Sequence, residues 1–199
     1  MKLLILCFLS TAAGAEVQIT VRIVNADVVP EKTRVAAERV ASEILRSAGV
    51  GVTWVECGAG EAARCRSPLG HAEFWLHLLD RKPPRRLADA TGFAVLYPAR
   101  DRRDGYAGVF YQKVAEEAGN EHLDPAVILG ATMAHEIGHV LLGTKAHAVM
   151  GAMRARLRRA EFEEAMRGAL RFTPQESETI RMAWDNSAIP CPTPKSLPL

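Results

Sequence analysis

The chain has 199 residues, of which 48% are hydrophobic, and a formal net charge of +2. That length suits one domain with a real core; the charges nearly cancel, no tract is charged enough to read as a disordered tail, and nothing points to a nucleic-acid partner. Two short basic clusters, Arg81, Lys82, Arg85 and Arg86, then Arg154, Arg156, Arg158 and Arg159, read as a solvated loop and a solvated helix face.

Residues 1–15 have the form of a signal peptide. Lys2 supplies a positive start, Leu3 to Leu9 a short apolar run, and Ala13-Gly14-Ala15 a small-residue cleavage site, so the mature chain begins near Glu16. The expected destination is secreted or periplasmic. The apolar run is too short to span a bilayer permanently. Leu6 before Cys7 does not suit lipoprotein processing, so no stable membrane anchor is expected. In an oxidising compartment Cys57 and Cys65 could close a short loop, leaving Cys191 over.

Val17, Ile19, Val21 and Ile23 alternate with polar residues and predict a strand. From Pro30 to Ala48 the period becomes helical, with Ala36, Val40, Ala41, Ile44 and Leu45 on one stripe and Gly49 as the stop. Strands follow at Val52 to Cys57 and Ala72 to Leu79, separated by a loop from Gly58 to Gly70. After a Pro-containing loop, Phe93 to Tyr97 and Ala107 to Lys113 read as two more strands joined by a turn at Asp104-Gly105. Asp124-Pro125 opens a long helix that ends at Leu142-Gly143. Two helices complete the chain, one around Ala155 to Leu170 and one from the capping box Thr173-Pro174-Gln175-Glu176 to about Trp184. The order predicts an α/β (α+β) fold: a mixed, twisted sheet of about five strands on two long helices, with a helical C-terminal part. Residues 16–189 form the single domain and 190–199 a Pro-rich tail.

The helix at 126–142 is apolar almost all round and therefore predicted to be buried, yet it carries His135, Glu136 and His139. Buried ionisable groups are costly unless something satisfies them, and a metal ion does so. His135 and His139 are one turn apart on one face, so their imidazoles can converge on one ion. Glu136 is displaced around the helix, where it can reach a water on the metal without ligating it. One zinc ion would lower that water's pKa to about 7 and polarise a substrate carbonyl, while Glu136 takes the proton and later delivers it to the leaving amine.

A catalytic zinc needs a third protein ligand. Gly143 can end the helix in the left-handed conformation and turn the chain back, which makes His147 a candidate. Glu161, Glu163 and Glu164 on the next helix are the competing carboxylates. His71, His77 and His122 read as surface or strand histidines.

The run His135-Glu136-Ile137-Gly138-His139-Val140-Leu141-Leu142-Gly143-Thr144-Lys145-Ala146-His147 resembles the zinc signature of the metzincin metallopeptidases, H-E-x-x-H-x-x-G-x-x-H. The glycine comes one residue late and the last histidine two, so the likeness is to a variant with a lengthened loop. The resemblance implies zinc ligands at His135, His139 and His147 and a general base at Glu136. It implies a methionine turn at Met153, with Met150 as rival. It further implies a zinc endopeptidase whose peptide or protein substrate lies along an exposed strand edge, Ala107 to Gln112 or Phe93 to Tyr97. Tyr97, Tyr106 or Tyr111 could then serve as a phenol donor to the oxyanion, or simply pack the strands. The alternatives are an exported zinc-binding module without catalysis, and a hydrolase narrow for one partner protein or cell-wall peptide. A monomer is expected.

Overall fold

The computed structural model describes residues 17–58, 65–96 and 105–184. The signal-peptide segment, Tyr97, Asp104, Cys191 and the Pro-rich tail lie outside the described residues.

The alternation that opens the chain becomes β1, Val17–Val24, whose Val17, Ile19, Val21 and Ile23 are buried while Gln18 is exposed. Its neighbours are β2, Val50–Glu56, and β3, Glu73–Leu79, both parallel to it. Beyond β3 lie β5, Gly105–Phe110, parallel to β3, and β4, Gly92–Leu96, antiparallel to β5. The sheet order β2-β1-β3-β5-β4 leaves β4 as an edge strand.

Helix α1, Glu31–Arg46, returns the chain from β1 to β2 and packs along one face of the sheet. The residues after β5 form helix α2, Tyr111–Glu121. Next comes α3, Pro125–Leu142, which carries the His-Glu motif, then α4, Arg159–Met166, and α5, Pro174–Trp184. Helices α1 and α3 lie against each other, and the contact is close because residue 130 is glycine. A Cβ there would fall 2.5 Å from the Ala37 carbonyl oxygen. The core between sheet and helices includes Ile23, Ile44, Leu76, Val109, Ile128 and Leu129, each at most 2% exposed. Helix α3 is apolar enough to cross a bilayer by composition, but 89% of it is buried inside this fold.

The opposite sheet face is held by a buried cation. Arg22 pairs with Glu73, donates to the carbonyls of Ser67 (2.7 Å) and Pro68 (3.2 Å), and lies 5.5 Å from the Trp75 ring. The same segment is tied to β2 by the disulfide Cys57–Cys65.

Two predicted boundaries are corrected. The strand expected to reach Lys113 ends at Phe110, and the chain goes straight into α2. Val114 and Ala118, four apart, are its buried stripe, a helical signal hidden by the strand-prone Val-Phe-Tyr run before it. The helix expected from Ala155 to Leu170 is the shorter α4, closed off where Gly168 takes φ +62°. A 3-10 turn, Arg85–Leu87, lies in the loop before β4. The capping box does form: the Glu176 carboxylate accepts from the Thr173 backbone N–H (2.8 Å) and Thr173 Oγ1 from that of Glu176 (3.2 Å). It starts α5, whose Trp184 donates from Nε1 to the Leu141 carbonyl (2.8 Å) and docks α5 on the end of α3.

Candidate metal centre

Helix α3 is set by its ends. The Asp124 carboxylate accepts from the Ala126 N–H (2.9 Å), Pro125 sits in the first turn, and Gly143 closes the helix at φ 62°. Every residue from Ala126 to Leu141 is buried, His135, Glu136 and His139 included. Three polar groups are thus taken from water on a rigid element.

Two backbone carbonyls orient the two imidazoles. His135 Nδ1 donates to the Ala152 carbonyl (2.8 Å) and His139 Nδ1 to that of Thr144 (2.8 Å). A carbonyl oxygen only accepts, so each Nδ1 carries the hydrogen. In the neutral rings each Nε2 is then a bare lone pair, and the two Nε2 atoms face each other at 3.1 Å. A proton would relieve this repulsion, but burial and the neighbouring His139 push the His135 pKa down to about 4. Burial lowers that of His139 as well. A metal cation remains, and the donor set fits zinc. Zn–N bonds of about 2.0–2.1 Å in tetrahedral geometry put ligand nitrogens about 3.3 Å apart.

The loop after Gly143 brings His147 to the same point. Its ring lies 4.8 Å from that of His139 and 5.3 Å from that of His135, centroid to centroid. One nitrogen from each of the three falls within 4.8 Å of the others. His147 is exposed where the other two are buried, so the cluster opens to solvent on its side. The carboxylates weighed as third ligands are outside this group. Glu161 is taken by Arg154 and by the Arg158 N–H (2.9 Å), and Glu163 by Arg159 (2.9 Å).

The turn beyond His147 supports the site from below. Ala148 N–H donates to the Met153 carbonyl (2.8 Å) and Ala152 N–H to that of Arg171 (2.7 Å), which fixes the Ala152 carbonyl that holds His135. Met153 is fully buried against Gly138, where a Cβ would overlap its Sδ. Met150 is 64% exposed. Of the two methionines, only Met153 is buried, and it packs on the helix that carries the histidines.

A cleft of about 580 Å³ runs over the cluster between edge strand β4 and the segment around Leu157 and Phe162. Glu136 lines it, and burial pushes its carboxyl pKa up to about 8 in the metal-free protein. A divalent ion beside it would favour the carboxylate instead. Neither described tyrosine candidate lines this cleft. Tyr106 packs against His77 (4.9 Å) and Phe93 (5.7 Å), and Tyr111 begins α2. His71 lies against Trp184 (6.4 Å), and His122 is the exposed left-handed cap of α2. Sequence reasoning missed Gly92, which abuts Glu136, and the hydroxyl pair Thr91–Thr132 (3.1 Å) beside it. Their proximity comes from sheet-on-helix packing and has no local sequence signal.

No model of a known protein family matches the chain, and no curated protein matches it. Among solved structures, archaemetzincin from Methanopyrus kandleri is similar at 18% identity and a TM-score of 0.49, over 84% of this chain and 96% of that one.

Proposed function

We propose that this chain is a zinc-dependent metallopeptidase, exported and monomeric, with one zinc held by His135, His139 and His147 and with Glu136 as general base. The observation that carries the reading is the pair of buried Nε2 lone pairs 3.1 Å apart, each ring locked by a carbonyl on its Nδ1. Such an arrangement is unfavourable without a cation and has no structural purpose of its own.

When bound, zinc supplies Lewis-acid polarisation of a carbonyl and a water acidic enough to attack it at neutral pH. The remaining work belongs to the chain. Glu136 is next in sequence to His135 but turned toward β4, and it lines the same cleft as the three histidines. It accepts a proton from the attacking water and returns it to the leaving amine, converting a poor leaving group into a good one. Edge strand β4 borders the cleft and offers backbone groups to an extended peptide. A general base in the cleft favours hydrolysis over mere zinc storage. The Cys57–Cys65 bridge supports an oxidising compartment, hence secretion or a periplasm.

The test is digestion of a diverse peptide library, read by mass spectrometry, with the mature protein beside Glu136→Ala. Cleavage by the wild type alone, abolished by a chelator and restored by zinc, is expected. A folded, zinc-loaded wild type that cuts nothing would sink the broad peptidase reading and move weight to a binding module or a single-substrate hydrolase.

A further inference from the structure

We infer that Gly92 is a positioning residue for Glu136: the missing side chain at the start of β4 is what sets the carboxyl group in the cleft. The inference rests on the proposed hydrolase reading and names a residue outside its ligand and base set.

Strand β4 is the sheet edge that borders the cleft, and its pairing puts Gly92 opposite Val109 and Leu96 opposite Gly105. Side chains alternate, so positions 92, 94 and 96 face α3 while Phe93 turns to the other face and meets Tyr106 and Phe110. A Cβ at residue 92 would lie 2.8 Å from Glu136 Cγ, 2.8 Å from its Oε1 and 3.0 Å from the Gly108 carbonyl oxygen. The first two distances are too short for real contacts, and the third closes the retreat toward β5. The clash reaches Cγ, next to the backbone of a buried helix, so rotation of the chain end alone does not clear it.

The contact matters because little else fixes this carboxyl group. Among the described residues, no hydrogen bond holds the Glu136 side chain, so packing against β4 determines where its oxygens sit. Any side chain at 92 would therefore move the group itself. Misplacement by about 1 Å can cost about 100-fold in rate.

Gly105 provides the control. A Cβ there would overlap Val140, one turn along α3 from Glu136, a heavier collision between the same sheet edge and the same helix. Gly105→Ala therefore disturbs the packing without touching the base. The experiment compares Gly92→Ala, Gly105→Ala and wild type, each mature and metal-loaded, for unfolding midpoint, zinc affinity and kcat per loaded chain. It also follows the pH midpoint of the visible spectrum of the cobalt-substituted proteins, a readout independent of turnover. Gly92→Ala is expected to lose about 100-fold in kcat with KM and zinc affinity within about threefold, and to shift the cobalt midpoint. Gly105→Ala is expected to lose more stability yet keep kcat within about threefold and the wild-type midpoint. The inference is overturned if Gly92→Ala keeps wild-type kcat, or if Gly105→Ala reproduces its loss. If the wild type cleaves nothing, the peptidase reading fails by itself, and the cobalt arm still decides on Gly92: an unchanged midpoint overturns it.

Discussion

Replacing Glu136 by Gln should change how the metal-free protein responds to pH. The Glu136 carboxyl group titrates at about 8 in the fold against 4.5 when exposed, because burial disfavours its charge. Between those values the folded chain keeps a proton that the unfolded chain has lost. Its contribution is therefore full below pH 4.5 and drains away as pH rises to 8, by about 1.4 kcal/mol per pH unit. His135 runs the other way. Its pKa falls from 6.5 to about 4, so the unfolded chain takes up a proton first, and stability is lost as pH drops from 6.5 to 4. His139 adds to this acid-side loss. Between pH 4.5 and 6.5 the slopes of Glu136 and His135 oppose each other, whereas from 6.5 to 8 only Glu136 acts, for a fall of about 2 kcal/mol. Urea unfolding of chelator-treated protein from pH 5 to 8 measures it, and the difference between wild type and Glu136→Gln removes every other titrating group. The variant should lack the decline above pH 6.5 and keep the acid-side loss. Saturating zinc should abolish the decline in the wild type by favouring the carboxylate. Parallel curves for wild type and variant across pH 6.5–8 would refute the assignment of a buried, protonated Glu136.

Gly138→Ala should push Met153 out of its seat against α3, since the new Cβ would overlap Sδ and lie 2.8 Å from Phe172 Cε1. A loss of about 1–3 kcal/mol in thermal or urea unfolding is expected. Zinc affinity should fall about 10–100-fold with it, because Met153 adjoins the carbonyl that orients His135. Replacing both Cys57 and Cys65 by Ser opens a short loop of sequence separation 8 and should cost about 2–3 kcal/mol in urea unfolding. Zinc affinity should not change, because the bridge joins the end of β2 to the segment that covers Arg22 and includes no residue of the cleft.

The parts of the fold legible in the sequence are those written by local physics. The two-residue period of β1, the Asp124-Pro125 start and Gly143 stop of α3, and the box at Thr173–Glu176 each depend on neighbours in the chain, and each forms. The cysteine pair is legible because its members stand only eight positions apart. Helix α2 was hidden because Val109-Phe110-Tyr111 favours extended backbone, while the helix that follows is stabilised by burying Val114 and Ala118. In the site, the four-residue spacing of His135 and His139 sets their common face, and the position of Glu136 next to His135 sets its displacement around the helix, with no tertiary packing needed. His147 was harder, because a loop of irregular conformation decides where it arrives. Gly92 could not be read at all: nothing within β4 records that Glu136 lies above it.

A catalytic zinc here requires three histidines to converge on one ion. Calorimetric titration of the chelator-stripped, mature protein with zinc, beside His147→Ala and Glu136→Gln, tests that directly. One zinc per wild-type chain is predicted, with affinity unchanged in Glu136→Gln and reduced by more than about 100-fold in His147→Ala, a ligand loss exceeding what an outer contact costs. Wild-type affinity in His147→Ala, or no zinc bound by the folded wild type, would contradict it.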